Sequence, residues 1–319
     1  MLSEALTLAP VSAPTLPVRH KFRLRFQKIG NLRLVSHHDL MHVLERMMRR
    51  AEIPFAVSQG FHPQPKMSFA SALALGVAGL NEVFELELKE PIEADELLRR
   101  LNAAAPEGLA FSSIASQPKR TAALVRRAFY RMELPEDQPL DVLAERIAQF
   151  MALPDHWTVR LRPQRRQVNI RPYVFEVTVR REGEAPAEPE PARISTLGKY
   201  SHGAGSAGAS PSQAAPAQTS PTSTLEFTLW ITPTGAARPD EIVRALGLQP
   251  LLEAGAVLER THLELMDEVP ESERSFPDFA AASSAAPPET PNDGTQAEDD
   301  RPRSSSPTAL LANPLSFET

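Results

Sequence analysis

Ser36-His37-His38-Asp39-Leu40-Met41-His42-Val43-Leu44-Glu45-Arg46-Met47-Met48-Arg49-Arg50-Ala51, continued over residues 52–76 as EIPFAVSQGFHPQPKMSFASALALG, is the stretch that decides the fold. Ser36 with Asp39 three residues on is a capping-box variant, so a helix is expected to begin at about residue 37. Leu40, Val43, Leu44, Met47, Met48 and Ala51 recur at helical spacing and form one apolar stripe. The other face carries His42, Glu45, Arg46, Arg49 and Arg50, with Glu45 and Arg49 spaced for an i, i+4 ion pair. Pro54 ends the helix, and Ser58–Lys66 is too rich in Gly and Pro to be regular, so it reads as a shaped loop.

Working outward, residues 20–29 alternate Phe22, Leu24 and Phe26 against Arg23, Arg25 and Gln27, the mark of a half-buried strand. Beyond the loop, Met67–Leu75 reads as a second strand and Gly76–Asn81 as a hairpin connection. Val83–Lys89 alternates again. Ala94–Ala105 has Leu97, Leu98 and Leu101 at helical spacing, and Leu109–Ile114 is a short last strand. The order β-α-β-β-α-β is that of a ferredoxin-like split unit. In that topology Arg23 and Arg25 face Glu85 and Glu87 across neighbouring strands. This exposed sheet face lacks an aromatic platform for stacking bases, which disfavours RNA binding there.

The pattern then repeats: strand Phe129–Leu134, helix Leu140–Met151, strands Trp157–Arg162 and Val168–Arg180, strand Leu225–Ile231, helix Arg238–Leu246 and strand Ala256–Met266. The expected fold class is therefore α+β, with tandem ferredoxin-like domains at residues 19–118 and 124–266. Residues 182–224 are rich in Pro, Ala, Ser and Gly and are expected to be a disordered insertion. Residues 1–18 and the acidic residues 267–319 are expected to be disordered tails.

The chain has 319 residues and a formal net charge of −6. That total hides a polarity: residues 19–134 hold 18 Lys and Arg against 12 Asp and Glu, and residues 267–319 hold 3 against 11. A basic first domain with an acidic tail is the pattern of a polyanion-binding face. There is no run of 18 apolar residues and no signal-peptide pattern at the N-terminus, so neither membrane spanning nor secretion is expected. No cysteine is present, which fits a cytoplasmic protein.

SHHDL, ERMMRRAEIP, SQGFHPQPKMSFASALALG, VNIRPY and GAARPDEI together resemble the radical-SAM-linked proteins, a bacterial family built on a domain of unknown function. The resemblance spans roughly residues 20–181 and 225–266. It implies a cobalamin-type radical SAM protein as partner, since family members are encoded beside one or fused to one. The family loop reads G-F-N-P-H-P where this chain has His62 and Gln64, and the family has leucine where this chain has His38. A radical SAM enzyme holds its iron–sulfur cluster with cysteine thiolates. A chain without cysteine is therefore the companion of such an enzyme, and no cofactor of its own is expected.

Among the residues themselves, the strongest chemical reading is anion binding. A capped helix start offers free N–H groups and a partial positive charge. The candidate surface comprises Ser36, His37 and His38 at that start, Arg46, Arg49 and Arg50 along the helix, and Gly60, His62 and Lys66 in the loop. It would bind RNA or a protein partner as a non-enzymatic accessory. The competing reading is a metal-independent endoribonuclease with His37 or His38 as general acid or base, by analogy with the tandem ferredoxin-like folds of CRISPR repeat-processing enzymes. His38 and His42 are spaced like zinc ligands, but no Glu follows the first of them as in the metalloprotease motif, and no metal is expected. Walker, dinucleotide-binding and G-x-S-x-G patterns are missing too.

Overall fold

Lys21-Phe22-Arg23-Leu24-Arg25-Phe26 forms the middle of the first strand, β1 (His20–Lys28), and its alternation sets the two faces of the sheet. In this computed structural model, residues 20–119, 121–161, 164–181, 223–277 and 279 are described, all within one compact unit. Helix α1 (His37–Arg50) follows a single-turn segment at Gly30–Leu34. Strands β2 (Met67–Phe69) and β3 (Ala78–Leu88), helix α2 (Ala94–Ala104) and strand β4 (Leu109–Gln117) complete the first half. The second half runs β5 (Val125–Leu134), α3 (Leu140–Ala152), β6 (Trp157–Arg160), β7 (Arg166–Asn169) and β8 (Val174–Arg181). It continues with β9 (Ser223–Trp230), α4 (Pro239–Ala245), α5 (Gln249–Glu253) and β10 (Leu258–Leu265).

The protein is a mixed α+β fold built on one eight-stranded sheet with the order β4-β1-β3-β10-β5-β9-β8, and β2 pairs with β3. All pairings are antiparallel except β10 with β3, where Glu259 lies beside Ala78 and Arg260 beside Gly79. Strands β6 and β7 form a separate two-stranded ribbon. The last strand in sequence therefore lies near the middle of the sheet and joins the two halves.

The helices pack on one face of the sheet. In the first half Leu40, Leu44, Met47 and Met48 of α1 and Leu97 and Leu101 of α2 bury against Phe22, Leu24, Phe26, Phe84, Leu86 and Leu88. A second cluster gathers Leu143, Ile147 and Phe150 of α3 and Ile242 and Val243 of α4 over β5, β9 and β10. The helix stripe and the strand alternation read from the sequence thus meet in one apolar layer.

Three differences from the sequence reading have physical causes. The expected strand Met67–Leu75 shrinks to Met67–Phe69, because Ser71 and Ala72 give their carbonyls to the Arg260 side chain rather than to a ladder. The expected hairpin at Gly76–Asn81 is instead the start of β3, which extends to Ala78 because β10 pairs with it. Opposite Glu87 stands Lys21, not Arg25. Arg23 does lie opposite Glu85 and bonds it at 3.3 Å, while Arg25 faces Val83 and pairs with Glu268.

The expected disordered segments at 1–18, up to residue 222 at 182–224, and from residue 280 at 267–319 lie outside the described residues, whereas Ser223 and Thr224 belong to β9. Asp267–Pro277, assigned by composition to the tail, packs as a strap over the face of the sheet opposite the helices. Asp267 bonds Arg23 at 2.7 Å, Glu268 pairs with Arg25, Glu273 lies 3.8 Å from Arg126, and the Phe276 ring meets Trp230 edge-on. No helix among the described residues is long and apolar enough to cross a membrane.

Candidate functional site

The start of α1 is built as its sequence dictates. Ser36 Oγ accepts a hydrogen bond from the Asp39 backbone N–H at 3.2 Å and donates to Asp39 Oδ2 at 2.6 Å. The cap turns His37 inward and His38 outward. The His37 ring stands edge-on to Phe69 with centroids 4.7 Å apart. The His38 ring stands edge-on to exposed His42, one turn along, at 4.5 Å. Burial, then the nearby Lys28 ammonium and His38, hold the His37 imidazole below its ordinary pKa.

Beneath this helix start lies a cluster of charges that the sequence reading did not single out. Lys28, at the end of β1, is 1% exposed and donates from Nζ to the Val35 carbonyl at 2.7 Å. Burial lowers its pKa, partly offset by Glu82. Glu82 and Arg260, both buried, form a two-point pair with a 2.7 Å bond from Nε to Oε1. Arg260 also donates to the Ala72 carbonyl at 3.1 Å, which fixes the loop after β2. Its guanidinium stays charged: burial opposes the charge, and Glu82 and the neighbouring Tyr130 outweigh that penalty. Gly79 leaves the space this carboxylate fills, since a Cβ there would come within 2.5 Å of Glu82 Cγ. The signal was present in the sequence. Lys28 shares parity with Phe22, Leu24 and Phe26, and Glu82 with Phe84, Leu86 and Leu88, so each charge falls on a core-facing position.

The rest of the predicted surface lies along and beyond the helix. Arg46 is exposed. Arg49 bonds Glu45 at 2.7 Å, and its guanidinium lies 5.2 Å from the Phe55 ring centre, at the base of the loop. Arg50 donates to the Ala104 carbonyl at the end of α2. The loop is closed by Ser58 N–H to Gln64 O at 2.8 Å and by Gln64 N–H to Ser58 Oγ at 3.0 Å, and Val57 bridges Pro65 below it. Gly60 has φ +141°, a conformation that a side chain would strain. At the tip Phe61 is 102% exposed, with exposed His62 beside it. Lys66, at the base, bonds Ala56 O through its N–H, and its ammonium lies 3.8 Å from Glu87.

The candidates thus form two groups. Ser36, His37 and His38 lie at one end of α1, and Gly60, His62 and Lys66 lie in the loop that follows its other end. A 14-residue helix spans about 21 Å at 1.5 Å per residue, and Arg46, Arg49 and Arg50 lie along its second half. Among the described residues no group of three or more His, Asp or Glu is placed to hold a metal ion.

The two later motifs meet in the second half. Arg160 makes a buried two-point pair with Glu241, with both bonds at 2.7 Å, and donates to Ala236 O. Asn169 accepts from the His156 N–H, Arg171 donates to Met151 O, and the Tyr173 hydroxyl lies where a Cβ on Gly235 would stand, 3.0 Å away. VNIRPY and GAARPDEI therefore anchor the β6–β7 ribbon to α4. On the strap-covered face, Arg127 lies 4.6 Å from the Phe175 ring centre, 5.6 Å from Trp230 and 5.7 Å from Phe129. The aromatic platform missing from the first half is present in the second.

Acid should expose the strain on His37. A histidine with a depressed folded pKa contributes stability that is present above the ordinary value of 6.5 and lost as pH falls through the folded value. The unfolding midpoint is expected to fall as pH drops below about 6.5, and His37→Gln to flatten part of that decline. Only part is expected, because burial depresses His156 and His262 as well. An unchanged pH profile for folded His37→Gln would refute this assignment.

A family model described as an uncharacterized protein conserved in bacteria (DUF2344) matches residues 21–204. No curated protein matches the sequence. Among solved structures, the crystal structure of an unknown protein from Galdieria sulphuraria is similar at 10% identity. The match covers 78% of this chain and 99% of that one, with a TM-score of 0.20.

Proposed function

We propose, from the premise that the chain belongs to the DUF2344 family of uncharacterized bacterial proteins, that it is a non-enzymatic binding protein that holds RNA along α1 and its following loop. The observation that carries this reading is a row of exposed side chains along one face of α1, with an exposed aromatic in the loop that follows it. His38, His42, Arg46 and Arg49 follow one another along α1, Arg49 touches the loop base at Phe55, and the loop ends in a fully exposed Phe61. Backbone hydrogen bonds fix the loop, so little order is lost when the ring engages a ligand. Arginines on a backbone beside an aromatic that stacks a base is how single strands are held.

Binding is favoured over cleavage by the way the two histidines diverge. His37 packs on Phe69 and His38 on His42, so the rings do not converge on one point as an acid–base pair would. RNA incubated with the protein without metal is expected to stay intact. The proposed partner is a radical SAM enzyme: the motif resemblance supplies it, and a chain without cysteine leaves cluster chemistry to another polypeptide. The finer architecture belongs to the same proposal. The pairings β4-β1-β3-β2 and β10-β5-β9-β8 are read as two ferredoxin-like units, at 19–118 and 124–266, within the shared sheet.

The test is RNA binding measured across salt. Arg46→Ala and Arg49→Ala are each expected to lower the slope of log K against log salt by about 1, and Phe61→Ala to weaken binding by about 1–3 kcal/mol. Parent-like binding by a folded triple variant would overturn the reading.

A further inference from the structure

We infer that the sheet face under the Asp267–Pro277 strap is a second surface for single-stranded RNA, and that the strap is a tethered stand-in for that ligand. Under the strap lie Lys21, Arg23, Arg25, Arg126 and Arg127; Glu85 pairs with Lys21 and Arg23, Glu264 pairs with Arg126 and Arg127, and Glu87 stands opposite Lys21. These five cations exceed the three sheet carboxylates Glu85, Glu87 and Glu264 by two. The strap supplies three carboxylates: Asp267 on Arg23, Glu268 on Arg25 and Glu273 on Arg126.

The strap also places ring against ring. Phe276 meets Trp230 at 6.4 Å, and Phe279 just beyond it stacks on Tyr173 at 5.3 Å with planes 14° apart. Carboxylates on guanidiniums followed by rings on rings is the arrangement that phosphates and bases of a single strand present to such a face. Two features go beyond what a structural clamp requires. Arg126 Nε is buried with no hydrogen-bond partner, a donor the strap leaves unused. Phe175, stacked on Arg127, is 45% exposed at the open side of the aromatic group. A single strand would satisfy the first and cover the second. This surface lies on the opposite side of the sheet from α1 and shares only the ligand class with the function proposed above.

Asp267→Asn, Glu268→Gln and Glu273→Gln, made together in the full chain, remove the strap charges with little change of shape. Binding of a fluorescent oligouridylate of about 12 nucleotides at low salt is expected to tighten about tenfold, because three competing ion pairs are gone. Adding Arg25→Ala to that variant is expected to reverse most of the gain, whereas adding Arg46→Ala and Arg49→Ala leaves the gain in place. Should the triple variant fail to fold, Phe276→Ala loosens the strap at Trp230 alone, and a gain of about threefold is expected. A folded released variant with parent affinity, or a gain abolished only by the α1 changes, would overturn the inference. The second outcome would leave the α1 reading standing.

Discussion

Glu82→Ala is expected to destabilise the protein by about 3–5 kcal/mol, because it strands the Arg260 guanidinium in the interior. Both side chains are buried, at 2% exposure. The pair also joins the two halves of the sheet, since Glu82 comes from β3 and Arg260 from β10. Removing the acid leaves Arg260 with the carbonyls of Ser71 and Ala72, which cannot balance a full charge, and leaves Lys28 beside it without its main counter-charge. Denaturant unfolding would measure the loss. The double change Glu82→Leu with Arg260→Met is expected to recover most of it, as buried pairs replaced by apolar side chains of similar volume often do. A loss below about 1 kcal/mol for the single change would show that the pair is solvated in solution.

Leu44→Ala is expected to cost about 2–5 kcal/mol. Leu44 is 0% exposed in the layer between α1 and the sheet, among Phe22, Phe84 and Met48. It is fully buried in that cluster, so its truncation leaves a cavity that the packed layer fills only in part. Phe61→Ala makes the paired measurement. Its ring touches solvent on all sides, and its truncation is expected to change stability by less than about 0.5 kcal/mol. An unchanged melting temperature for Leu44→Ala would mean that the α1 stripe does not face the sheet.

Much of the first half was legible because its signals are local. The Ser36 cap, the α1 stripe and the β1 alternation are all written within a few residues of where they act, and each appears where the pattern puts it. The Arg23–Glu85 pair followed from the strand order. What escaped depends on contacts distant in sequence. Nothing near residue 78 announces that β10 will arrive beside it and extend β3. Asp267–Pro277 reads as tail because it is acidic and Pro-containing, and the arginines of β1 and β5 with which it pairs lie far from it in sequence. Of the candidate site, the histidines and arginines of α1 were readable from residue type and spacing. The charged layer beneath them was not singled out, although the strand parity of Lys28 and Glu82 already pointed inward.

The central position of β10 has a consequence for synthesis. The edge of β5 that will receive it is complete at Leu134, yet β10 begins at Leu258. At 5–20 residues per second, roughly 6–25 s of translation separate the two. Through that interval β5 presents an unpaired backbone edge on the nascent chain, and β3 does so only at Ala78 and Gly79, beyond its pairing with β2, the exposure that invites strand addition from a neighbour. Ribosome-bound intermediates ending before residue 258 are therefore the species most in need of chaperone cover, and aggregation during expression should track arrest in that window.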